Sequence, residues 1–166
     1  FSEVGTMLLK TFTGFDPYHE EISRELIVTA EWSDQDFARA RTQAKNYNYG
    51  IDIQQGNLEE LCAFLERKRG FLLRLLENPN LLEHESFTDL LWAISHLAEE
   101  LSWRADLKKL PAADYAHLAR DTERAYSLLV SEWIAYMQHL KDNYPYLYSL
   151  AIRTNPLDPN ASPEVR

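Results

Sequence analysis

The chain has 166 residues, of which 45% are apolar and 26% are charged, as is typical of one soluble globular domain. Its 17 Lys and Arg against 26 Asp and Glu give a formal net charge of −9. This balance argues against nucleic acid and anionic membrane surfaces as main partners. The single cysteine, Cys62, excludes an internal disulfide and is typical of a reducing compartment.

Helical periodicity runs through nearly the whole chain, and strand-like alternation is almost absent. Residues 1–14 are expected to be a lead-in or a short helix. Asp16 and Pro17 then predict a helix start, because Asp accepts hydrogen bonds from the free N–H groups of a first turn and Pro needs no donor there. The helix that they begin is expected to finish near Trp32.

Ser33 and Asp36 resemble a capping box, in which each residue of the pair accepts a hydrogen bond from the other's backbone N–H. They predict a helix to about Lys45. Further along, apolar residues recur at the i, i+3, i+4 spacing of one buried helical face. This pattern predicts three long helices, at 58–77, 87–103 and 112–142.

These elements predict an all-α fold, a helical bundle of five to six helices of which three are long. The bundle domain is expected to occupy residues 15–154, with a last helix that starts at Pro145. Residues 155–166 are rich in proline and are expected to form a short disordered tail.

No motif of a known catalytic or metal centre stands out. A ferritin-like di-iron site needs Glu-x-x-His on two helices, and that tetrapeptide does not occur in the sequence. No nucleophile elbow, phosphate-binding glycine loop or dinucleotide fingerprint is present either. Cys62 lies on the apolar stripe of its helix, which favours burial over a reactive thiolate. We therefore expect no catalytic residue, no cofactor and no metal ligand.

Two alternatives stay open. One is a metal-binding helical-bundle enzyme that uses His84, His96, Glu99 and His117, although the spacings His96-x-x-Glu99 and Asp114-x-x-His117 match no known ligand motif. The other is a free-standing helical sensor or adaptor that binds a small molecule in an apolar pocket between helices.

The run Arg67-Lys68-Arg69 is the only cationic cluster in this acidic chain. Glu66 and Glu77 flank it, so pairing on a solvated helix face is the common interpretation. The functional alternative is contact with a phosphate head group or an acidic partner.

The C-terminal third is rich in tyrosine and tryptophan, the residue types that most often anchor protein interfaces. This concentration predicts a packing or assembly surface. Its candidate interface residues are Trp133, Tyr136, Tyr144, Tyr146 and Tyr148.

Two stretches carry a resemblance to a known family. Residues 71–92 read Phe-Leu-Leu-Arg-Leu-Leu-Glu-Asn-Pro-Asn-Leu-Leu-Glu-His-Glu-Ser-Phe-Thr-Asp-Leu-Leu-Trp. The second stretch runs from Leu128 to Pro156 and includes Glu132-Trp133 and, at 143–156, Asn-Tyr-Pro-Tyr-Leu-Tyr-Ser-Leu-Ala-Ile-Arg-Thr-Asn-Pro. Both resemble the soluble helical domain of prokaryotic potassium-channel-like membrane proteins, which have two transmembrane helices around a single pore loop. This chain has no filter loop of the Thr-Val-Gly-Tyr-Gly type, so it does not itself conduct ions.

The resemblance implies a non-enzymatic cytosolic domain of a potassium-channel-like protein that serves assembly, gating or sensing. Its expected partner is the membrane pore segment of its own protein, and a homo-oligomer is a further expectation. Because the sequence begins at Phe1 and not at Met, we expect a cytoplasmic domain that is tethered to the inner membrane through a segment upstream of Phe1.

Overall fold

The computed structural model describes residues 2–164, and within that range every regular element is a helix. None of these helices is both long and apolar enough to span a membrane. In chain order they are α1 Ser2–Thr13, α2 His19–Glu25, α3 Asp34–Asn46, α4 Leu58–Leu76, α5 Pro79–Leu82, α6 Glu85–Ser102, α7 Ala112–Asn143 and α8 Pro145–Arg153.

The predicted all-α bundle is confirmed, and α4, α6 and α7 are the three long helices expected from the apolar spacing. The predicted count of five to six helices is wrong, because residues 2–164 form eight. One additional helix is α5, a single turn that begins directly after Asn78, whose side chain accepts a hydrogen bond from the Asn80 N–H at 3.0 Å. No helix is predicted from the sequence between residues 77 and 87.

Helix α7 is the spine of the bundle. It packs against α1, α3, α6 and α8, while α4 packs against α6 and α5 lies between α4 and α6. Its buried residues recur every three or four positions, as an apolar helical face requires. The apolar residues of this face that have no exposed surface are Leu118, Ala125, Tyr126 and Val130.

The second helix is shorter than predicted and ends at Glu25. The carbonyls that follow it have partners from the C-terminal region of the chain. Asn155 Nδ2 donates to the Leu26 carbonyl at 2.9 Å, and the Tyr148 hydroxyl donates to the Thr29 carbonyl at 2.8 Å. Because these side chains satisfy the backbone, the segment after Glu25 has no need to remain helical.

Both ends of the described chain pack more tightly than expected. The predicted lead-in is a full helix, α1, whose Leu9 and Phe12 side chains have no exposed surface. In the segment predicted to be a disordered tail, Asn155 and Leu157 are buried, and the Leu157 N–H donates to Asn155 Oδ1 at 3.0 Å. The packed domain therefore extends to Leu157, because a buried apolar side chain and a buried amide hold a segment whose composition is otherwise polar.

Gly56 lies against the ring of Phe15, which is completely buried. A Cβ atom at Gly56 would lie 2.2 Å from two ring carbons, a distance that the packed ring cannot relieve by turning away. We expect Gly56→Ala to lower the free energy of unfolding by about 1–3 kcal/mol in urea denaturation. Gly50→Ala is the control, because its added Cβ would meet no atom closer than 3.9 Å. Equal stability of the two variants would contradict this account.

Candidate metal centre

Helices α6 and α7 each carry a histidine followed four residues later by a carboxylate. The pair on α6 is His96 and Glu100, and the pair on α7 is His117 and Asp121. Residues four apart lie on one face of a helix, and the short connection between α6 and α7 turns the two faces toward each other. We refer to these four residues as the His–carboxylate cluster.

Each carboxylate of the cluster lies close to both imidazoles. Asp121 Oδ2 lies 3.4 Å from His96 Nε2 and 3.2 Å from His117 Nε2. The Glu100 carboxylate lies 3.4 Å from His117 Nε2 and 3.8 Å from His96 Nε2. Around a tetrahedral zinc ion with bonds of about 2.0–2.1 Å, neighbouring ligand atoms lie about 3.3 Å apart. The distances in the cluster therefore fit the shell of a small divalent ion.

Asp121 is the buried member of the cluster, with 4% of its side chain exposed. Its Oδ1 accepts a hydrogen bond from Arg124 at 3.2 Å, but its Oδ2, on the side of the imidazoles, has no hydrogen-bond partner among the described residues. A buried carboxylate oxygen without a partner is costly. A cation held between the two imidazoles and Asp121 would supply that partner. His96 and His117 are 46% and 39% exposed, so the cluster also opens to solvent.

Arg104 holds one ligand of the cluster in place. Its guanidinium donates to both carboxylate oxygens of Asp114, at 2.6 and 2.8 Å, and to Glu100 Oε2 at 2.8 Å. The hydrogen bonds from Arg104 lower the pKa of the Glu100 and Asp114 carboxyls. Glu100 is therefore kept ionised and oriented, which is what a metal-ligating carboxylate needs from its surroundings.

The structure brings together two of the four residues of the metal-enzyme alternative. His96 and His117 meet, but Glu100 takes the place that the sequence suggested for Glu99, which is exposed. His84 lies at the start of α6, about 18 Å along the helix axis from His96, and is not part of the cluster.

Glu100 and Asp121 were missed as ligand candidates. The signal that could have found them is the repeated His-x-x-x-acid spacing, at 96–100 and again at 117–121, on two consecutive long helices. The spacing of each histidine and its carboxylate within one helix can be read from the sequence. The meeting of the two pairs depends on the packing of α6 against α7.

The five predicted interface aromatics lie in different surroundings. Trp133 and Tyr148 are buried in the core, Tyr136 is half-buried, and Tyr144 and Tyr146 are 43% and 72% exposed. Only the exposed tyrosines can be reached by a partner without a change in packing. The assembly surface itself stays a prediction.

The Cys62 thiol is half-buried, and that burial raises its pKa. A raised pKa argues against a reactive thiolate at Cys62.

Comparison with known proteins places the chain in a family. The family described as "Uncharacterized protein MJ1433, C-terminal helical domain" matches residues 1–153. The chain belongs to this family. One relative, "Uncharacterized protein MJ1433" from Methanocaldococcus jannaschii, is 49% identical to this chain over 158 residues. That match covers 95% of this chain and 63% of the relative, so the chain spans less than two thirds of the relative's length.

No solved structure matches the chain. The family match agrees with the expectation of a helical domain, since the family is described as a C-terminal helical domain. Neither the family nor the relative carries a link to potassium channels.

Arg104 joins the end of α6 to the beginning of α7, and only 15% of its side chain is exposed. We expect Arg104→Ala to lower the free energy of unfolding by about 2 kcal/mol, because two carboxylates lose charge-assisted hydrogen bonds at once. Urea denaturation measures the effect. The matched control is Arg39→Ala, which removes an ion pair to Asp36 from a side chain that is 60% exposed and should change stability little. A loss as large for Arg39→Ala would contradict the assignment.

Proposed function

We propose that this domain is a non-enzymatic, metal-binding helical bundle that holds one divalent transition-metal ion between α6 and α7. The observation that carries the proposal is the convergence of two imidazole nitrogens and two carboxylates, one of which has a buried oxygen without a hydrogen-bond partner. Imidazole with carboxylate suits zinc and its first-row neighbours. Calcium and magnesium prefer sites made entirely of oxygen.

The ion would act as a clamp. His96, Glu100 and His117 have ligand atoms within 4.8 Å of one another, and Asp121 Oδ2 lies within 3.4 Å of both imidazoles, so an ion bound to them would tie α6 to α7. Four protein ligands fill a tetrahedral shell, which is typical of structural and regulatory zinc sites, whereas a catalytic zinc keeps one position open. The exposure of His96 and His117 would let the ion exchange with solvent, which suits a site that responds to the concentration of metal.

Of the roles that the resemblance implied, sensing is the one that the His–carboxylate cluster supports. Assembly and gating, a cytoplasmic position, a tether upstream of Phe1, a pore segment as partner and a homo-oligomer stay predictions. No contact among the described residues argues for them. The metal-enzyme alternative would use the same ligands, and it differs from our proposal in requiring an open coordination position.

Metal titration tests the proposal directly. Chelator-treated protein titrated with Zn²⁺ in a calorimeter is expected to show one site per chain, and Co²⁺ is expected to give the intense visible bands of tetrahedral coordination. At a free Zn²⁺ concentration 100 times Kd, stability should rise by about 2.7 kcal/mol. For a domain of this size, that corresponds to a rise in Tm of roughly 5–10 °C. The absence of saturable binding would overturn the proposal, and six-coordinate Co²⁺ bands, which require several solvent ligands, would contradict a closed site of four protein ligands.

Two neighbouring glutamates on α6 provide a matched pair of variants for that titration. We expect Glu100→Gln to weaken Zn²⁺ binding by about 100-fold or more, because even the loss of a group that only orients a ligand costs 10- to 100-fold. Glu99→Gln removes the same charge one position away and should bind Zn²⁺ as the unaltered protein does. Equal weakening in both variants would show general attraction to an acidic surface.

Asp121→Asn separates a metal centre from a set of ion pairs. In the metal-free protein, we expect this variant to keep or gain stability, because the buried Oδ2 of Asp121 lacks a donor, and an amide nitrogen in its place can donate to an imidazole. The same variant should lose the rise in Tm that Zn²⁺ produces. Protonated imidazoles paired with carboxylates would behave in the opposite way: the substitution would cost about 3–5 kcal/mol without metal, and Zn²⁺ would change nothing.

A further inference from the structure

A half-open cavity of about 730 Å³ lies between α1, α4 and α6. Helix α1 rests on α7 and α4 rests on α6, and the space between these two pairs remains unfilled. Cavities of about 300–1,000 Å³ are typical of sites for small organic ligands. The cavity shares no residue with the His–carboxylate cluster, so a ligand here would be separate from the metal.

The interior of the cavity is apolar. Leucines from α1, α4 and α6 line it together with Ile94, and Leu129 of α7 adds a further apolar side chain. Phe71, which also lines the cavity, is 37% exposed and therefore lies toward solvent. A lining of this kind favours an alkyl chain over a polar ligand, because burial of apolar surface is the main favourable contribution.

Helix α4 adds three basic side chains to the lining, Arg67, Lys68 and Arg74. Among the described residues that line the cavity, the one carboxylate is Glu3, which is 82% exposed and lies 3.7 Å from Lys68 Nζ. Within residues 2–164, neither arginine forms an ion pair. In a chain with a net charge of −9, three cations beside one apolar cavity create a local site for an anion.

We propose that this cavity binds a single-chain amphiphile with an anionic head group. The alkyl chain lies between α1, α4 and α6, and the carboxylate or phosphate head group contacts Arg67, Lys68 and Arg74. The alkyl chain and the anionic head group of such a ligand match the apolar and the basic parts of the lining, and this assignment goes beyond the metal centre.

Titration of the full chain with dodecanoate, below its micelle concentration, tests the proposal. We expect saturable binding of one molecule per chain. Dodecyl maltoside, which has the same alkyl chain and an uncharged head group, is expected to bind at least about tenfold more weakly. Dodecyl phosphate measured alongside identifies the preferred head group. Equal affinity for the maltoside, or no saturable binding of either anion, would overturn the proposal.

Variants of the basic side chains on α4 locate the head group. We expect Arg67→Ala combined with Arg74→Ala to weaken dodecanoate binding by about tenfold, the loss expected from two partly exposed charge contacts. Arg69→Ala is the matched control, because Arg69 belongs to the same run but lines a different cavity, with Trp92 and Leu76. Equal weakening by both changes would contradict a head-group site at this cavity.

Two exposed apolar residues of α4 locate the alkyl chain. Phe71→Asp removes an aromatic contact and places a negative charge in the lining, so we expect dodecanoate binding to weaken by about tenfold or more. Leu73→Asp introduces the same charge in place of an apolar side chain that is 47% exposed and lines the cavity of Arg69 and Trp92. It should leave binding unchanged. Because both side chains are exposed, both variants are expected to fold, and circular dichroism verifies this. Equal loss in both would overturn the proposed location.

Discussion

The antiparallel packing of α6 on α7 is the interaction on which the rest of the structure depends. Helix α7 is the spine that α1, α3 and α8 also contact, and α6 carries α4 on its other side. Burial of the apolar stripes supplies most of the free energy that holds these two helices together. A ladder of polar contacts fixes how they align along their length. The ladder advances by about one helical turn per step, through His96–Asp121, Glu100–His117 and Arg104–Asp114.

The three steps of this ladder are not equivalent. At the end near the connection, Arg104 and Asp114 satisfy each other through two hydrogen bonds. Farther from the connection, two imidazoles face two carboxylates, and a buried oxygen of Asp121 has no hydrogen-bond partner in the part of the chain that the structure describes. In the Arg104–Asp114 step, the charges and hydrogen bonds of the two side chains are satisfied by the protein alone. The other two steps are complete only with a cation or with protons on the imidazoles, and this difference makes them a candidate site.

Local pattern predicts much of this fold, and distant contacts explain where it fails. The capping box at Ser33 and Asp36 is present as predicted, because its hydrogen bonds lie within four residues. The end of α2 was not predictable, because the partners of its following carbonyls lie 119 and 129 residues away. The same reason applies to the burial of Leu157, which the composition around it does not suggest.

The candidate sites follow the same rule. Each His-x-x-x-acid pair is visible in the sequence, but the packing of α6 on α7 decides that the pairs meet and that Asp121 is buried. In the basic run, successive residues of a helix point about 100° apart, so one run contributes to two surfaces. Arg67 and Lys68 line the cavity beside α1, whereas Arg69 lines another cavity. A charge run counted along the sequence therefore overstates the charge at any one place, and only the neighbours of each side chain give it a role.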